Sequence, residues 1–290
     1  MLAAMKYAIN LGACADPRTL GEMAHLAEEA GWDGVFLEDY VVYQNRQDIP
    51  AFDPWIALAA MAMSTENIRL GTEVTPLARR RPWKLARETV SLDHLSNGRL
   101  ILGVGLGNAA DSDFATFGEV LDNRQRAEVL DEALDILVGL WSGQPFSYDG
   151  KHFQISEVTF VPTPVQRPRI PIWIGGGWPN KGPALRAARF DGACLFKYTA
   201  AKTSESMTPA DVRALRELIE SRRAAQPADS VHTPFDIVVG GHERRVDWEE
   251  ERDFIRSLRQ AGATWWVEWL PPGEVGEMKR CIECGPLRAG

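Results

Sequence analysis

Short runs of β-strand type alternate with helical runs from one end of this chain to the other, and this alternation limits the fold to few solutions. Eight apolar runs are predicted strands, each followed by a helical segment: residues 7–11, 34–37, 68–72, 100–104, 172–174, 193–196, 237–239 and 265–267. Strand–helix alternation requires a parallel sheet with helices outside it. Eight repeats predict an α/β chain that closes into a (β/α)8 TIM barrel, with an open doubly wound sheet as the alternative.

Residue signals at the helix ends support the same count. Asp16-Pro17 and Asp53-Pro54 each supply an N-cap followed by proline at the first helical position. Glycine punctuates four helix-to-strand junctions: Gly31, Gly98, Gly192 and Gly262. A barrel of roughly 250 residues would use most of such a chain as one unit. We therefore expect a single domain over residues 1–290.

Two segments depart from the alternation. Residues 106–171 follow the fourth strand and are far longer than one helix requires, and their second part is rich in proline. We predict an ordered insertion after strand four there, which begins with a long helix. Residues 199–208 follow the sixth strand and are small and polar, which predicts a mobile lid. Barrel enzymes work at the C-terminal ends of their strands, where both segments would matter.

Composition and charge exclude several classes of protein. A net charge of −8 argues against binding to nucleic acid or to a membrane surface. No apolar run approaches the roughly 20 residues of a membrane helix. The apolar stretch between Lys6 and Cys14 is too short for a signal peptide, so we interpret it as the first strand and expect a cytoplasmic protein. Four cysteines make no disulfide framework, and the pair Cys281 and Cys284 lacks the second pair that zinc needs.

The sequence lacks the residue patterns that barrel hydrolases use for catalysis. Of five histidines only His242 falls at the end of a predicted strand, and the first strand carries no His-x-His. The sequence also lacks a Gly-x-Ser-x-Gly nucleophile elbow. We therefore expect no metal site. If the chain is an enzyme, a bound cofactor is expected to supply its chemistry.

The residues at the predicted strand ends mix acids, glycines, a lysine and aromatic side chains, which suits a flat aromatic ligand that carries a phosphate. Residues 175–177 precede a predicted helix, so their amides form either a phosphate cradle or a plain tight turn. The basic run 79–81 is either a solvated helix start or a contact for an anionic ligand. Glycines 103–107 lack the spacing and the strand–turn–helix context of a dinucleotide-binding turn.

Longer motifs resemble the bacterial luciferase-like family of flavin-dependent oxidoreductases and monooxygenases. The matching segments are 69–76 (RLGTEVTP), 81–82 (RP), 92–107 (LDHLSNGRLILGVGLG), Arg124, 140–143 (LWSG), 148–153 (YDGKHF) and 169–177 (RIPIWIGGG). The similarity is in register from about Lys6 to Asp191 and weaker beyond. The resemblance implies a (β/α)8 barrel with an insertion after strand four, which binds reduced FMN or the deazaflavin coenzyme F420 at its strand ends and forms a homodimer.

The resemblance also implies the residues that hold the cofactor. They are Thr72, Glu73, Val74, Gly107, Asn108, Ile174, Gly175, Gly176 and Gly177. Glu73-Val74 matches the place where many F420-using relatives have a non-proline cis peptide behind the central ring. Gly107 and Asn108 match backbone that lines the ring, and residues 174–177 match the loop that holds the phosphate end.

The chain departs from the sugar-phosphate dehydrogenases of that family at their acid–base pair. Those F420-using enzymes have Asp-His after the second strand and a glutamate after the glycines of the fourth, whereas this chain has Asp39-Tyr40 and Asn108. Oxidation of a sugar phosphate is therefore not expected. An FMNH2-dependent monooxygenase with a separate flavin reductase and a deazaflavin-dependent reductase both stay open.

A flavin-type oxidoreductase that acts on a small organic molecule is the function we expect. Asp39 and Tyr40 are the catalytic candidates that orient or protonate the substrate, with Tyr40 as a donor because its pKa is normally about 10. Trp178, Lys197 and Glu268 are the expected substrate contacts. A non-catalytic flavin-binding protein is the alternative, although relatives of that kind have shortened barrels and this chain has all eight strands.

Overall fold

The computed structural model describes residues 4–108, 112–198, 204–226 and 234–289. The strands are β1 (Lys6–Gly12), β2 (Gly34–Glu38), β3 (Arg69–Pro76), β4 (Leu100–Gly105), β5 (Pro145–Asp149), β6 (Gln154–Thr159), β7 (Ile172–Trp178), β8 (Gly192–Tyr198), β9 (Ser204–Glu205), β10 (Asp236–His242) and β11 (Trp265–Leu270). The helices are α1 (Pro17–Glu29), α2 (Pro54–Ser64), α3 (Pro82–Leu95), α4 (Ser112–Ala115), α5 (Asn123–Trp141), α6 (Lys181–Ala187), α7 (Pro209–Ala224), α8 (Trp248–Ala261) and α9 (Val275–Glu283). Within these ranges, no helix combines the length and the apolar composition that crossing a membrane requires.

Eight of the strands form one closed parallel sheet in the order β1-β2-β3-β4-β7-β8-β10-β11, with β11 paired to β1. At least one helix follows each of these strands along the chain. The prediction of a (β/α)8 TIM barrel is therefore confirmed, and the open doubly wound sheet is wrong. The insertion after strand four is also present, since α4, α5 and the antiparallel hairpin of β5 and β6 lie between β4 and β7.

The chain divides into two compact units. Unit 1 comprises Met1–Leu11, Met23–Phe36 and Pro171–Gly290, and unit 2 comprises Gly12–Glu22 and Leu37–Ile170. The single domain over residues 1–290 stays a prediction.

Aromatic side chains fill the core of unit 1. The ring of Trp173 on β7 lies 5.1 Å from that of Phe36 and 5.2 Å from that of Trp265, and all three are buried. A Cβ on Gly192, the first residue of β8, would approach Trp173 Cδ1 to 2.4 Å. The glycine at this helix-to-strand junction is therefore required by the packing of the indole beside it.

Caps and one buried arginine shape unit 2. Asp53 accepts hydrogen bonds from two backbone amides at the start of α2, at 2.9 and 3.0 Å, as the Asp53-Pro54 signal predicts. Arg99, just before β4, donates to the carbonyls of Ala62 at 2.8 Å and Thr65 at 3.0 Å. These carbonyls lie at the C-terminal end of α2, where the helix itself provides no partner. The arginine thus ties the end of α2 to the start of β4.

Several strands run further than the sequence predicts. β3 continues to Pro76, β7 to Trp178 and β8 to Tyr198. Residues 175–177 lie inside β7 and pair in register with residues 194–196 of β8. The interpretation of residues 175–177 as a tight turn is therefore wrong, because a neighbouring parallel strand extends the ladder through them.

The predicted lid at 199–208 is described only in its second part. Residues 199–203 lie outside the described residues. β9 pairs antiparallel with the end of β8, with Glu205 opposite Lys197. Thr208 then caps α7 by accepting from the Asp211 amide. The second part of the segment is thus built into the fold as a short strand and a helix cap.

Candidate functional site

The pairing of β3 with β4 breaks in the middle of β3, where predicted cofactor-binding residues lie. Thr72 pairs with Leu102, but the next paired residue is Thr75, opposite Val104. The residues between them, Glu73 and Val74, form a bulge and are joined by a non-proline cis peptide bond. The structure therefore has the backbone feature that the family resemblance implies at this position.

A buried chain of hydrogen bonds holds this bulge in unit 2. The Thr75 hydroxyl donates to Thr72 Oγ1 at 3.1 Å, and the Thr72 hydroxyl donates to the Gly103 carbonyl at 2.9 Å. A Cβ on Gly103 would lie 2.0 Å from the Thr72 carbonyl oxygen, so a larger residue there would push the bulge away from β4. Thr75 and Gly103 are site residues that sequence reasoning missed, although the glycine run 103–107 was a signal.

Four acidic groups of unit 2, which we call the acid cluster, are Cys14, Glu38, Tyr43 and Glu73. Glu38 is the last residue of β2, and the Tyr43 hydroxyl donates to its Oε2 at 2.8 Å. Burial, reinforced by the charge of Glu38, raises the pKa of Glu73 to about 8. The same two causes raise the pKa of Cys14 to about 12 and the pKa of Tyr43 above its ordinary value. At neutral pH Cys14, Tyr43 and Glu73 therefore hold their protons.

Asp39 is buried, and two arginines bind its carboxylate. Arg80 donates to Oδ2 through Nε at 2.9 Å and to Oδ1 through Nη2 at 2.8 Å. Arg79 donates to Oδ1 at 3.2 Å and also to the Asp39 carbonyl, and its side chain is only 6% exposed. At Arg79 and Arg80, the basic run 79–81 is therefore neither a solvated helix start nor an open binding site for an anionic ligand. Asp39 holds its own segment of backbone in place.

The backbone around Tyr40 is fastened by Asp113 of α4. Asp113 accepts hydrogen bonds from the Val41 amide at 2.8 Å and from the Val42 amide, and it pairs with Arg79. Tyr40 is partly exposed, and its ring packs edge-on against Tyr43 with centroids 5.2 Å apart. The insertion after β4 thus positions the predicted catalytic pair. Sequence reasoning missed Asp113 because it lies 72 residues from its partner Val41.

A buried arginine holds the loop that carries Gly107 and Asn108. Gly107 has a φ of +70°, and a Cβ on it would meet the Phe114 ring at 2.6 Å, so this position requires glycine. Arg126 of α5 donates to the carbonyls of Leu106 at 2.9 Å and Gly107 at 3.1 Å. Sequence reasoning missed Arg126, for which an arginine in the first turn of a predicted helix was the available signal.

In unit 1, Trp178 and Lys197 are paired neighbours at the ends of β7 and β8 and share one partner. The Trp178 indole donates to Asp211 Oδ1 at 3.0 Å, and Lys197 Nζ donates to Asp211 Oδ2 at 3.1 Å. Asp211 also forms a capping box with Thr208 at the start of α7. Burial opposes ionisation of Asp211, but the hydrogen bonds outweigh it and lower its pKa to about 2. The structure thus brings two predicted substrate contacts together on a carboxylate that sequence reasoning missed.

Alternation along β7 decides which predicted residues face the helices. A Cβ on Gly176 would contact Pro183 of α6 at 2.6 Å. Side chains two residues apart share a face of a strand, so Ile174 and Trp178 lie on that helix-facing side. Gly175 and Gly177 lie on the opposite face, which they share with Trp173.

Glu268 on β11 belongs to a different ion pair of unit 1. Arg244 donates to Glu268 Oε2 through Nη2 at 2.9 Å and through Nε at 3.1 Å. Burial raises the pKa of Glu268, although the Arg244 guanidinium opposes that rise. His242 lies opposite Glu268 in the strand register and contacts Glu251 at 3.0 Å. Glu268 is therefore not gathered with Trp178 and Lys197 on Asp211.

Candidate metal ligands are scattered. Among residues 4–108, 112–198, 204–226 and 234–289, no group of three or more His, Cys, Asp and Glu side chains could hold a metal ion. Cys281 and Cys284 are exposed free thiols near the end of the last helix.

Comparison with known sequences reveals close relationships over most of the chain. The model of the family described as luciferase-like monooxygenase matches residues 3–264. An F420-dependent glucose-6-phosphate dehydrogenase of Microbacterium testaceum is 32% identical over 78% of this chain and 65% of its own length. An F420-dependent hydroxymycolic acid dehydrogenase of Mycobacterium tuberculosis is 30% identical over 91% of this chain and 76% of its own length. The chain thus spans 65% of the first of these relatives and about three quarters of the second.

Comparison with solved structures agrees on the fold. An F420-dependent secondary alcohol dehydrogenase in complex with an F420-acetone adduct has a TM-score of 0.77 at 17% identity, over 99% of this chain and 100% of that one. An F420-dependent tetrahydromethanopterin reductase from Methanopyrus kandleri has a TM-score of 0.74 at 17% identity, over 97% of each chain. At these identities the likeness concerns the barrel fold alone.

Proposed function

We propose, because this chain belongs to the luciferase-like monooxygenase family, that it is an oxidoreductase that uses coenzyme F420 and acts on a small organic molecule. The names of its relatives support this cofactor, since both of the sequence relatives described above are F420-dependent dehydrogenases. Reduced FMN is the alternative cofactor, because a Baeyer-Villiger monooxygenase that shares the fold is described in complex with FMN.

The braced bulge of β3 is the observation that carries this proposal. At Glu73 and Val74 the ladder between β3 and β4 is interrupted by a bulge, and bulges of this kind are over-represented next to active sites. Gly103 and Gly107 keep Cβ atoms away from the bulge and the following loop, where larger residues would collide with their neighbours. The two glycines thus let the backbone of the bulge and of the loop pack closely at the place where the family resemblance implies contacts with the cofactor ring.

We assign the cofactor contacts accordingly. Thr72, Glu73, Val74, Gly107 and Asn108 would hold the ring in unit 2. Ile174, Gly175, Gly176 and Gly177 would hold the phosphate end through their backbone in unit 1. When bound, the cofactor supplies the two-electron redox chemistry of the reaction.

Tyr40 is the residue we assign to the substrate. Its segment of backbone is fixed on one side by Asp39 with Arg79 and Arg80, and on the other by Asp113. A tyrosine of ordinary pKa, about 10, donates a proton or a hydrogen bond at neutral pH rather than accepting a proton. Asp39 orients Tyr40 through the backbone.

The predicted substrate contacts Trp178, Lys197 and Glu268 stay part of the proposal as residues that border the substrate. Each has a defined partner, Asp211 for the first two and Arg244 for the third, so each would present a fixed surface. A homodimer in the cytoplasm, with a separate flavin reductase if FMN is the cofactor, completes the proposal.

Parallel titration of the purified protein with F420, FMN and reduced FMN, followed by fluorescence and absorbance, tests the cofactor. We expect F420 to bind tightly. Preference for reduced FMN would instead favour oxygen chemistry and a partner reductase, and the absence of binding by all three would contradict the proposal.

Turnover then separates an enzyme from a non-catalytic binding protein. Oxidation of small alcohols with F420 and reduction of small carbonyl compounds with reduced F420 are the reactions to screen. We expect Tyr40→Phe to keep F420 affinity and to lower kcat by about 10²-fold or more, the usual contribution of a positioned proton donor. Unchanged turnover in this variant would remove Tyr40 from the reaction.

A further inference from the structure

Unit 1 contains a cavity of about 300 Å³ between the end of β11 and α9, which we call the β11–α9 cavity. Pockets that bind small molecules in proteins begin at about this volume and have mostly apolar walls. The apolar side chains that line this cavity include Trp248, Leu270, Pro271, Pro272 and Met278. Every lining residue belongs to unit 1, and none is an assigned cofactor contact.

The positive charge in the lining is already neutralised. Among the described residues, three carboxylates and one guanidinium, that of Arg244, line the cavity. Arg244 donates to Glu268 Oε2 through Nη2 at 2.9 Å and through Nε at 3.1 Å, and Nη2 also donates to the Gly285 carbonyl at 2.7 Å. An anionic ligand would have to compete with Glu268 for this guanidinium, so the cavity does not suit an anion.

The other two carboxylates give the cavity an excess of negative charge. Glu243 follows β10, Glu277 lies in the first turn of α9, and both residues are exposed. Arg280 lies 3.8 Å from Glu277, but both of these side chains are mostly exposed, and solvent weakens such a pair. A cation that binds between apolar walls would therefore meet two carboxylates at the edge of the cavity.

An indole provides a second attraction for a cation. Trp248 is nearly half exposed although it is a large apolar residue, and it lines the cavity. The Arg244 guanidinium lies 5.4 Å from the centre of its ring and 5.8 Å from that of Trp32, so the ion pair holds Arg244 against both indoles. Aromatic rings attract organic ammonium groups, and they do so most strongly when the ring is that of tryptophan.

We propose that the β11–α9 cavity binds a small organic cation, an ammonium group on an apolar body. The apolar walls take the body, and Glu243, Glu277 and Trp248 take the charge. Glu268 is shared with the proposed substrate surface, but the inference concerns binding alone. It holds whether or not the bound cation is turned over, and it does not depend on which cofactor the protein uses.

Two thiols allow occupancy of the cavity to be measured directly. Cys281 and Cys284 are exposed free cysteines that line the cavity, so a molecule bound there would cover them. Alkylation by iodoacetamide, a neutral reagent, followed by mass spectrometry of the peptide that carries both, gives the rate of their modification. Benzyltrimethylammonium, benzyl alcohol and phenylacetate are the probes, because they share a benzyl group and differ in charge.

We expect benzyltrimethylammonium to slow the alkylation of Cys281 and Cys284, and benzyl alcohol and phenylacetate to have little effect. Equal protection by phenylacetate would overturn the assignment of a cation, and equal protection by benzyl alcohol would leave an apolar pocket without charge selection. A rate that benzyltrimethylammonium does not change would overturn the site. The protein is tested without cofactor, so a failure of F420 and FMN to bind leaves this result valid.

Calorimetric titration with benzyltrimethylammonium then assigns the residues. Glu243→Gln, Glu277→Gln and Trp248→Leu should each raise the dissociation constant about two- to fivefold, the usual effect of losing an exposed ion pair or cation–π contact. Glu249→Gln removes an exposed carboxylate next to Trp248 that is outside the lining, and it should leave the constant unchanged. A loss in Glu249→Gln as large as in Glu277→Gln would mean that the cation responds to general surface charge, which contradicts the proposal.

Discussion

The two units treat the polar residues at their strand ends in opposite ways. In unit 1, each candidate charge has an opposite charge as its partner: Lys197 pairs with Asp211 at 3.1 Å, and Glu268 pairs with Arg244 at 2.9 Å. In unit 2, Asp39 is neutralised by two arginines, but Glu38 and Glu73 repel each other. An opposite-charge pair fixes both side chains, whereas a like-charge pair raises a pKa and destabilises the folded protein.

This difference distinguishes residues that hold a ligand in position from residues that can hold or release a proton. A carboxyl that titrates near neutral pH can hold or release a proton under ordinary conditions, and such groups concentrate at functional sites. Of the candidate site residues, Glu73 has that property, with a pKa of about 8. The residues of unit 1 have their charges matched and suit the holding of a ligand. This contrast supports the proposal that the residues around β2, β3 and the start of the insertion, in unit 2, take part in the chemistry.

Arg79→Met should have the largest effect on stability. It leaves Asp113, which is 1% exposed, without its charge partner, and leaves Asp39 with Arg80 alone. Removing one partner from a buried ionic network destabilises a protein by about 3–5 kcal/mol. Urea unfolding at pH 7 measures this loss, and the variant should also have weaker cofactor binding, because the backbone around Tyr40 is released.

Two matched variants sharpen this test. Arg244→Met removes the partner of Glu268 in unit 1 and should destabilise less, about 2 kcal/mol, because a carboxyl whose pKa is already raised can take up a proton. Lys84→Met removes an exposed ion pair on α3 and should change stability by less than about 0.5 kcal/mol. An Arg79 variant as stable as the Lys84 variant would contradict the comparison between the units.

Glu73→Gln should stabilise the protein at neutral and alkaline pH and have little effect below about pH 4.5. The pKa of Glu73 rises from 4.5 to about 8 on folding, so the folded state binds this proton more tightly than the unfolded chain. The free energy of unfolding of wild type therefore falls as pH rises from about 4.5 to 8 and is level beyond. The advantage of the variant should grow over the same interval, to a few kcal/mol.

Unfolding by urea at pH 5, 7 and 9 measures this difference, with Glu157→Gln as the control for loss of a carboxylate. Because the two proteins share every other titrating group, the difference between them isolates Glu73. An advantage that is equal at pH 5 and pH 9 would mean that Glu73 is ionised throughout, and the repulsion argument for unit 2 would fail.

Elements with local signals could be predicted from the sequence. α8, Trp248–Ala261, begins and ends where its apolar spacing and Gly262 indicate, and α2 begins at the Asp53-Pro54 signal. The eight-strand count was sufficient to predict the barrel, because few folds contain eight strand–helix repeats. The hairpin of β5 and β6 was not foreseen within the insertion, since its residues are mostly exposed and its strands are only five and six residues long.

The charge partners of the site could not be predicted in this way. Arg79 and Asp39 are 40 residues apart, and Asp113 and Val41 are 72 apart, so their contacts depend on the fold rather than on any local pattern. The position of Glu73 was available through the family resemblance, but its ionisation depends on burial and on Glu38, which a motif does not report. Strand ends were misjudged for a related reason, because neighbouring strands extend β3 and β7 beyond their apolar runs.

Among the variants at the candidate site residues and their charge partners, Asp211→Asn should have the smallest effect, and it sharpens the comparison from the side of unit 1. The substitution weakens the capping box of α7 and removes the charge that holds Lys197, at about 1 kcal/mol. Because the pKa of Asp211 is lowered to about 2, its contribution is present above about pH 4 and is lost as pH falls toward 2, the opposite of Glu73. Asp211→Glu keeps both the charge and the cap type and should restore most of the stability in urea unfolding at pH 7. If the charges of unit 1 serve to hold side chains, the F420 affinity of Asp211→Asn should stay close to that of wild type at every pH between 6 and 9. A ratio of the two affinities that changes with pH would instead place proton chemistry in unit 1 as well as in unit 2.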